Sequence, residues 1–141
     1  MHSLLVCDDI EETALLRFVL QQAGLTVATA SGLESGLSTL SERPADLLVL
    51  ATRAGSPRSQ VLRARRDSEA PLMVVTNVAD EDEQVQVYEA GADLVAARPY
   101  SARLLSMQAR ALLRRGRGGA PAAMPTFAVG SLRLDPSARM V

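Results

Sequence analysis

The chain has 141 residues, a formal net charge of −1 and a single cysteine, enough for one domain with its own core and a fragment of a second. The near-neutral charge gives no global case for nucleic-acid binding by these residues. Lone Cys7 excludes a disulfide framework and suits a cytoplasmic location, no apolar run reaches membrane-spanning length, and one histidine, His2, cannot build a metal cluster.

All 15 basic residues are arginine, so any task ordinarily done by lysine falls to arginine. Ser3 to Cys7 is an apolar run stopped by Asp8-Asp9, the pattern of a buried strand with two carboxylates at its carboxyl end. From Glu11 to Ala23 the spacing of Ala14, Leu15, Phe18, Val19 and Ala23 predicts a helix, closed by Gly24. Thr26 to Ala30 alternates and is rich in β-branched residues, so it reads as a strand. Ser31-Gly32 opens a helix with Leu33, Leu37 and Leu40 on one face, ending before Pro44. Leu47 to Ala51 is wholly apolar and reads as a central parallel strand, buried on both faces.

Ser56-Pro57 is a helix start, an N-cap serine with proline at the first helical position. That helix turns Val61 and Leu62 inward and Arg58, Arg63, Arg65 and Arg66 mostly outward, as a solvated face. Leu72 to Thr76 is a buried strand ending in a hydroxyl. Glu81 to Ala90 is a polar helix with Val85, Val87 and Tyr88 as its apolar residues. Gly91-Ala92-Asp93 leads into a last strand, Leu94 to Ala97, ended by Arg98-Pro99-Tyr100. Ser101 caps a final helix carrying Leu104, Leu105, Ala109, Leu112 and Leu113, with Arg114 and Arg115 suiting its C-terminal dipole. Strand and helix thus alternate five times. This predicts an α/β fold with a doubly wound, five-stranded parallel sheet. Residues 1–115 form the domain, 116–126 a linker by composition, and 127–141 one strand or half a hairpin turning at Asp135-Pro136.

In such folds function sits outside the carboxyl ends of the strands. Four features converge there: Asp8-Asp9, Ala51, Thr76 and Arg98-Pro99. In this order and on this topology, residues 3–115 resemble the receiver domain of bacterial two-component response regulators, a CheY-like fold. The resemblance implies that Asp8 and Asp9 match an acidic pair that holds magnesium, Thr76 a hydroxyl and Pro99 a proline beside the phosphoryl site. The departures are as informative. Ala51 stands where the family has its phospho-accepting aspartate, Arg98 where it has a lysine, and Val95 where it has a switch aromatic. The site has lost its nucleophile, one metal ligand and the aromatic part of its switch. Two carboxylates facing one arginine predict an ion pair, with Arg98 forked across Asp8 or Asp9 in the metal's place and magnesium binding weakened. At about 4 Å such a pair is worth roughly 4 kcal/mol at an effective dielectric of about 20, before desolvation.

The final helix, the linker and Phe127 to Asp135 are similar to the receiver-to-effector junction of OmpR/PhoB-type transcription factors, whose winged-helix effector binds DNA. The resemblance implies a homodimer, with Asp93 and Arg115 as one intersubunit pair. The other charged positions fall on Gln84, Leu94, Leu104 and Gln108, and Leu94 with Leu104 could form an apolar seam instead. The expectation is a non-enzymatic pseudo-receiver that acts by dimerisation without aspartyl phosphorylation. It needs no resident cofactor, no membrane and no histidine kinase, and it reaches DNA through an effector domain beyond these residues. Alternatives are a small-molecule sensor using a pocket near Ala51 and Thr76, or phosphorylation at Thr52, Asp46 or Asp9. A flavodoxin-like cofactor binder shares the topology, but no phosphate-cradling loop follows the first strand.

Overall fold

The apolar runs form the strands of one parallel sheet. A computed structural model describes residues 1–53 and 56–118. In chain order the elements are β1 (His2–Cys7), α1 (Ile10–Gln22), β2 (Thr26–Ala30), α2 (Leu33–Glu42), β3 (Leu47–Ala51), α3 (Pro57–Asp67), β4 (Leu72–Thr76), α4 (Glu81–Ala90), β5 (Leu94–Ala97) and α5 (Ala102–Gly118). The sheet order is β2-β1-β3-β4-β5, and every pairing is parallel. No described helix is long and apolar enough to cross a membrane. α5 runs on through Gly118, into residues whose composition reads as linker. The predicted strand at 127–141 and the rest of the linker lie outside the described residues.

Successive residues of a strand point to opposite faces. Leu5, Val49, Ala51, Met73 and Val75 pack in one core with Leu16, Val19 and Leu20 of α1 and Leu105, Ala109, Leu112 and Leu113 of α5. Leu4, Val6, Leu48, Leu50 and Val74 pack in the other with Leu37 and Leu40 of α2, Val61 and Ala64 of α3 and Val87 of α4. Central strands covered by helices on both sides must be apolar on both faces, which is why β1, β3 and β4 read as unbroken apolar runs. α2 lies so close to the sheet that a Cβ on Gly36 would stand 2.7 Å from Val6 Cγ2.

α1 is rotated relative to the predicted face. Its buried residues are Glu12, Leu16, Val19 and Leu20, while Leu15 and Phe18 are exposed. Leu16, Val19 and Leu20 face the sheet, and this phase carries Glu12 inward with them. On α3, Val61 is buried as expected but Leu62 is exposed, with Ala64 inward instead.

The amino end of the sheet holds a buried histidine. His2 Nδ1 lies 3.0 Å from Thr26 Oγ1, and its backbone N–H donates to Asp46 Oδ2 at 2.8 Å. Burial lowers the His2 pKa below 6.5, the Arg43 charge and the N-terminus add to this, and Asp46 opposes it. A folded-state pKa below the unfolded one means that the unfolded chain binds more protons as the pH falls. The contribution is therefore complete above pH 6.5 and lost as the pH drops through the folded value. Urea unfolding should show a stability slope below pH 6.5 of at most about 1.4 kcal/mol per pH unit. H2Q should remove that part of the slope; an unchanged slope in H2Q would refute the assignment.

Candidate functional site

The strand order reverses at β1, which lies between β2 and β3, so the ends of β1 and β3 flank the topological switch point. Cys7 and Ala51 are register partners there. Asp8 and Asp9 follow β1 as the sequence predicts, but their carboxylates diverge. Asp9 is the N-cap of α1 and accepts the Glu12 N–H at 2.8 Å, satisfying one of the free donors at a helix start. Asp8 is exposed and accepts the Arg53 N–H at 3.3 Å.

Arg98 does not fork across either aspartate. Its Nε donates to Glu12 Oε2 at 2.8 Å and its Nη2 to Glu12 Oε1 at 2.7 Å, a bidentate pair. The side chains are 10% and 6% exposed. Asp9 is committed to the helix end and Asp8 to solvent, whereas Glu12 projects from the buried stripe of α1. Tyr100 Oη donates to Glu12 Oε2 at 3.0 Å, and Arg53 Nη2 stands 3.6 Å from Oε1. Arg98 also reaches the Ala51 carbonyl at 3.3 Å and Asn77 Oδ1 at 3.4 Å.

Burial pushes the Glu12 carboxyl up, but hydrogen bonds from Arg98 and Tyr100 and the charges of Arg98 and Arg53 overcome it, leaving the pKa below the ordinary 4.5. The hydrogen bond to Glu12 raises the Arg98 pKa against the cost of burial. Burial raises the Tyr100 phenol, and its bond to Glu12 adds to the rise. At neutral pH the cluster is a carboxylate facing a guanidinium, with a neutral phenol beside them.

Ala51 and Thr76 are buried, and the Arg98 guanidinium lies against the Ala51 carbonyl. Thr76 Oγ1 accepts the Val78 N–H at 3.1 Å. The Arg98–Pro99 peptide is cis. Of the alternative acceptors, Thr52 is hydrogen-bonded to Gln60, and Asp46 sits at the opposite end of the sheet against His2. Among the described residues no group of three or more His, Cys, Asp or Glu is placed to hold a metal. A hard divalent cation needs several convergent oxygen ligands; Asp9 is turned to the helix end and Glu12 is held by an arginine.

The predicted interface residues are scattered in their environments. Asp93 Oδ2 accepts from Arg65 Nη2 and from the Leu72 N–H, both at 2.8 Å, so that oxygen is already engaged within the chain. Leu94 packs against the core around α1 and α5, Leu104 is 57% exposed, Gln108 is half-buried and Arg115 exposed. Val95 packs against the core around α2, α3 and α4, and its N–H donates to Tyr88 Oη at 3.0 Å. Arg65 turns inward rather than forming part of a solvated face. It binds the carbonyls of Gly91, Ser68 and Ala70 as well as Asp93.

The residues that sequence reasoning missed are Glu12, Tyr100, Arg53 and Arg65. For Glu12 a signal existed: it stands four residues before Leu16 and eight before Leu20, in phase with an apolar stripe. A buried acid in that position calls for a cation.

No protein-family model matches the chain. It is 35% identical over 140 residues to the transcriptional regulatory protein AfsQ1 of Streptomyces coelicolor, covering 98% of this chain and 61% of that protein. It is 36% identical over 121 residues to the sensory transduction protein RegX3 of Mycolicibacterium smegmatis, covering 82% and 52%. The chain therefore spans about half to three fifths of the length of these relatives. Among solved structures, HP1043, an orphan response regulator of H. pylori, superposes with a TM-score of 0.72 at 25% identity, over 81% of this chain and 97% of that one. A CheY-like receiver domain protein from Methanospirillum hungatei gives a TM-score of 0.75 at 20% identity, over 84% and 98%, a likeness of fold. In strand order and over most of its length, this chain has the CheY-like fold of response regulator receiver domains and is similar to the regulators AfsQ1 and RegX3.

Proposed function

We propose that this domain is the regulatory part of a DNA-binding transcription regulator, and that it works as a dimer without aspartyl phosphorylation. The observation that carries the reading is Arg98. The cation after β5 is held by Glu12 and by the backbone carbonyl of Ala51, at a strand end whose own side chain is a methyl group. Phosphoryl transfer depends on a positioned acceptor and on neutralisation of the transferring charge. Here the acceptor position is an alanine and the cation already has an anion. The acidic positions Asp8 and Asp9 serve solvent and the α1 cap, so magnesium binding is weak at best. The names of AfsQ1, a transcriptional regulatory protein, and of HP1043, an orphan response regulator, accord with this role. DNA contact belongs to an effector domain outside the described residues. Dimerisation uses the edge formed by α4, β5 and α5, where Leu104, Gln108 and Arg115 lie.

With the active arrangement already favoured, a phosphoryl mimic has no differential affinity to exploit and shifts nothing. Sedimentation of the 141-residue chain across concentration, with and without magnesium and beryllofluoride, is expected to show a dimer that ignores both. A monomer that dimerises only with the additives would overturn the reading. In the same way, acetyl phosphate with magnesium should add no mass to the protein.

A further inference from the structure

One carboxylate joins parts of the chain that are far apart in sequence. Glu12 is on α1. Arg98 and Tyr100 flank the β5–α5 turn, 86 and 88 residues later. The same guanidinium touches the carbonyl at the end of β3 and Asn77 after β4, and Arg53, just past β3, faces the same carboxylate. The ends of β3 and β5 therefore send cations and a phenol, Arg53, Arg98 and Tyr100, to a single anion that the chain supplies, and Arg98 ties in the end of β4 by donating to Asn77 Oδ1. Two residues after Arg98-Pro99-Tyr100, α5 begins. Ser101 sets its first turn by accepting the Leu104 N–H through Oγ and the Leu105 N–H through its carbonyl. α5 is also the helix that leads out of the described domain.

We propose that Glu12 is an internal anionic ligand of the β5–α5 turn, and that by occupying Arg98 and Tyr100 it holds α5 in one orientation. This rests on the phosphorylation-independent reading and deepens it, because it names what takes the place of an incoming anion. A ligand built into α1 is always present, so the turn stays in its bound state. α1 and α5 share one core, through Leu16, Val19 and Leu20 on one side and Leu105 and Ala109 on the other, so Glu12 acts on the turn from which α5 starts. Glu12 is a positioning residue, since it acts on α5 only through Arg98 and Tyr100.

The test is hydrogen exchange on the 141-residue chain, followed at the Leu104 and Leu105 amides, with the amides of β1 and β3 as the measure of global opening. In E12A, Leu104 and Leu105 should exchange at least about a hundredfold faster than in wild type, the size expected when one partner of a buried pair is removed, and E12L/R98M, which keeps the global stability near wild type, should leave the β1 and β3 amides unchanged and still loosen these two. Formate, which replaces the missing carboxylate, should return them toward the wild-type rate. E12Q keeps the side chain's size and should also loosen these two amides, which guards against a failure of E12A to fold. Exchange that is unchanged, or that rises equally in the turn and the strands with no effect of formate, would overturn the proposal. Those outcomes leave the phosphorylation-independent reading standing. A wild-type protein whose Leu104 and Leu105 amides respond to magnesium and beryllofluoride would instead overturn that reading.

Discussion

Truncating Glu12 to alanine is expected to lower the unfolding free energy by about 3–5 kcal/mol, the cost of leaving a buried charge without its partner. The pair satisfies both carboxylate oxygens through Arg98, and Tyr100 adds a third bond. Removing the acid strands a guanidinium that is 10% exposed, and its desolvation is no longer offset. R98K should cost less, since an ammonium keeps the charge but cannot fork across two oxygens. The double variant E12L/R98M should lie close to wild type, because a well-packed apolar pair avoids the desolvation cost altogether. Urea denaturation of the four proteins separates these cases. If E12L/R98M were as unstable as E12A, packing rather than unpaired charge would be responsible. The pH dependence has a definite sign. Glu12 has a folded pKa below 4.5, so its contribution is complete above pH 4.5 and disappears as the pH falls through the folded value. E12L/R98M should lack this acid-side loss.

The second large effect is expected at Arg65, where R65A should cost about 3 kcal/mol. Its Nε donates to the Gly91 carbonyl at 2.9 Å, Nη1 to Ala70 at 2.6 Å and Ser68 at 3.3 Å, and Nη2 to Asp93 at 2.8 Å. One side chain thus closes the end of α3, the entry to β4 and the turn between α4 and β5. Its stem packs on Gly91, where a Cβ would meet Arg65 Cγ at 2.9 Å, so part of the loss is packing rather than charge. Gly91 also has a φ of +128°, which favours glycine there. R65K should recover less than half of the loss, because one ammonium cannot reach acceptors fanned around a planar group. R58A and R66A, at exposed positions of the same helix, should stay within about 0.5 kcal/mol of wild type. Equal small effects at all three positions would return Arg65 to the solvated face.

Burial patterning and strand-end chemistry made the architecture legible from sequence. Five apolar runs separated by helical spacing admit few arrangements, and parallel strands covered on both faces must be apolar on both. Local cap signals at Ser56 and Ser101 were equally readable, each accepting from the residue three places on, whereas Asp9 and Asp80 cap their helices without having been read so. Ala51 at the end of the third strand was visible because strand order alone brings it to the switch point. The tertiary structure decided who pairs with whom. An arginine after β5 had three acids within plausible reach, and sequence reasoning chose the two nearest the end of β1. The choice between them and Glu12 depends on the rotation of α1, set by which leucines fit the sheet, and on Asp9 being drawn to the helix end. Arg65 was misread for a related reason, since its acceptors are backbone carbonyls brought together by the fold, and carbonyls leave no mark in a sequence. Residue types and spacing determine the elements and the chemistry available at each strand end; long-range packing determines which charges meet, because an ion pair is stable only where burial and geometry bring its two halves together.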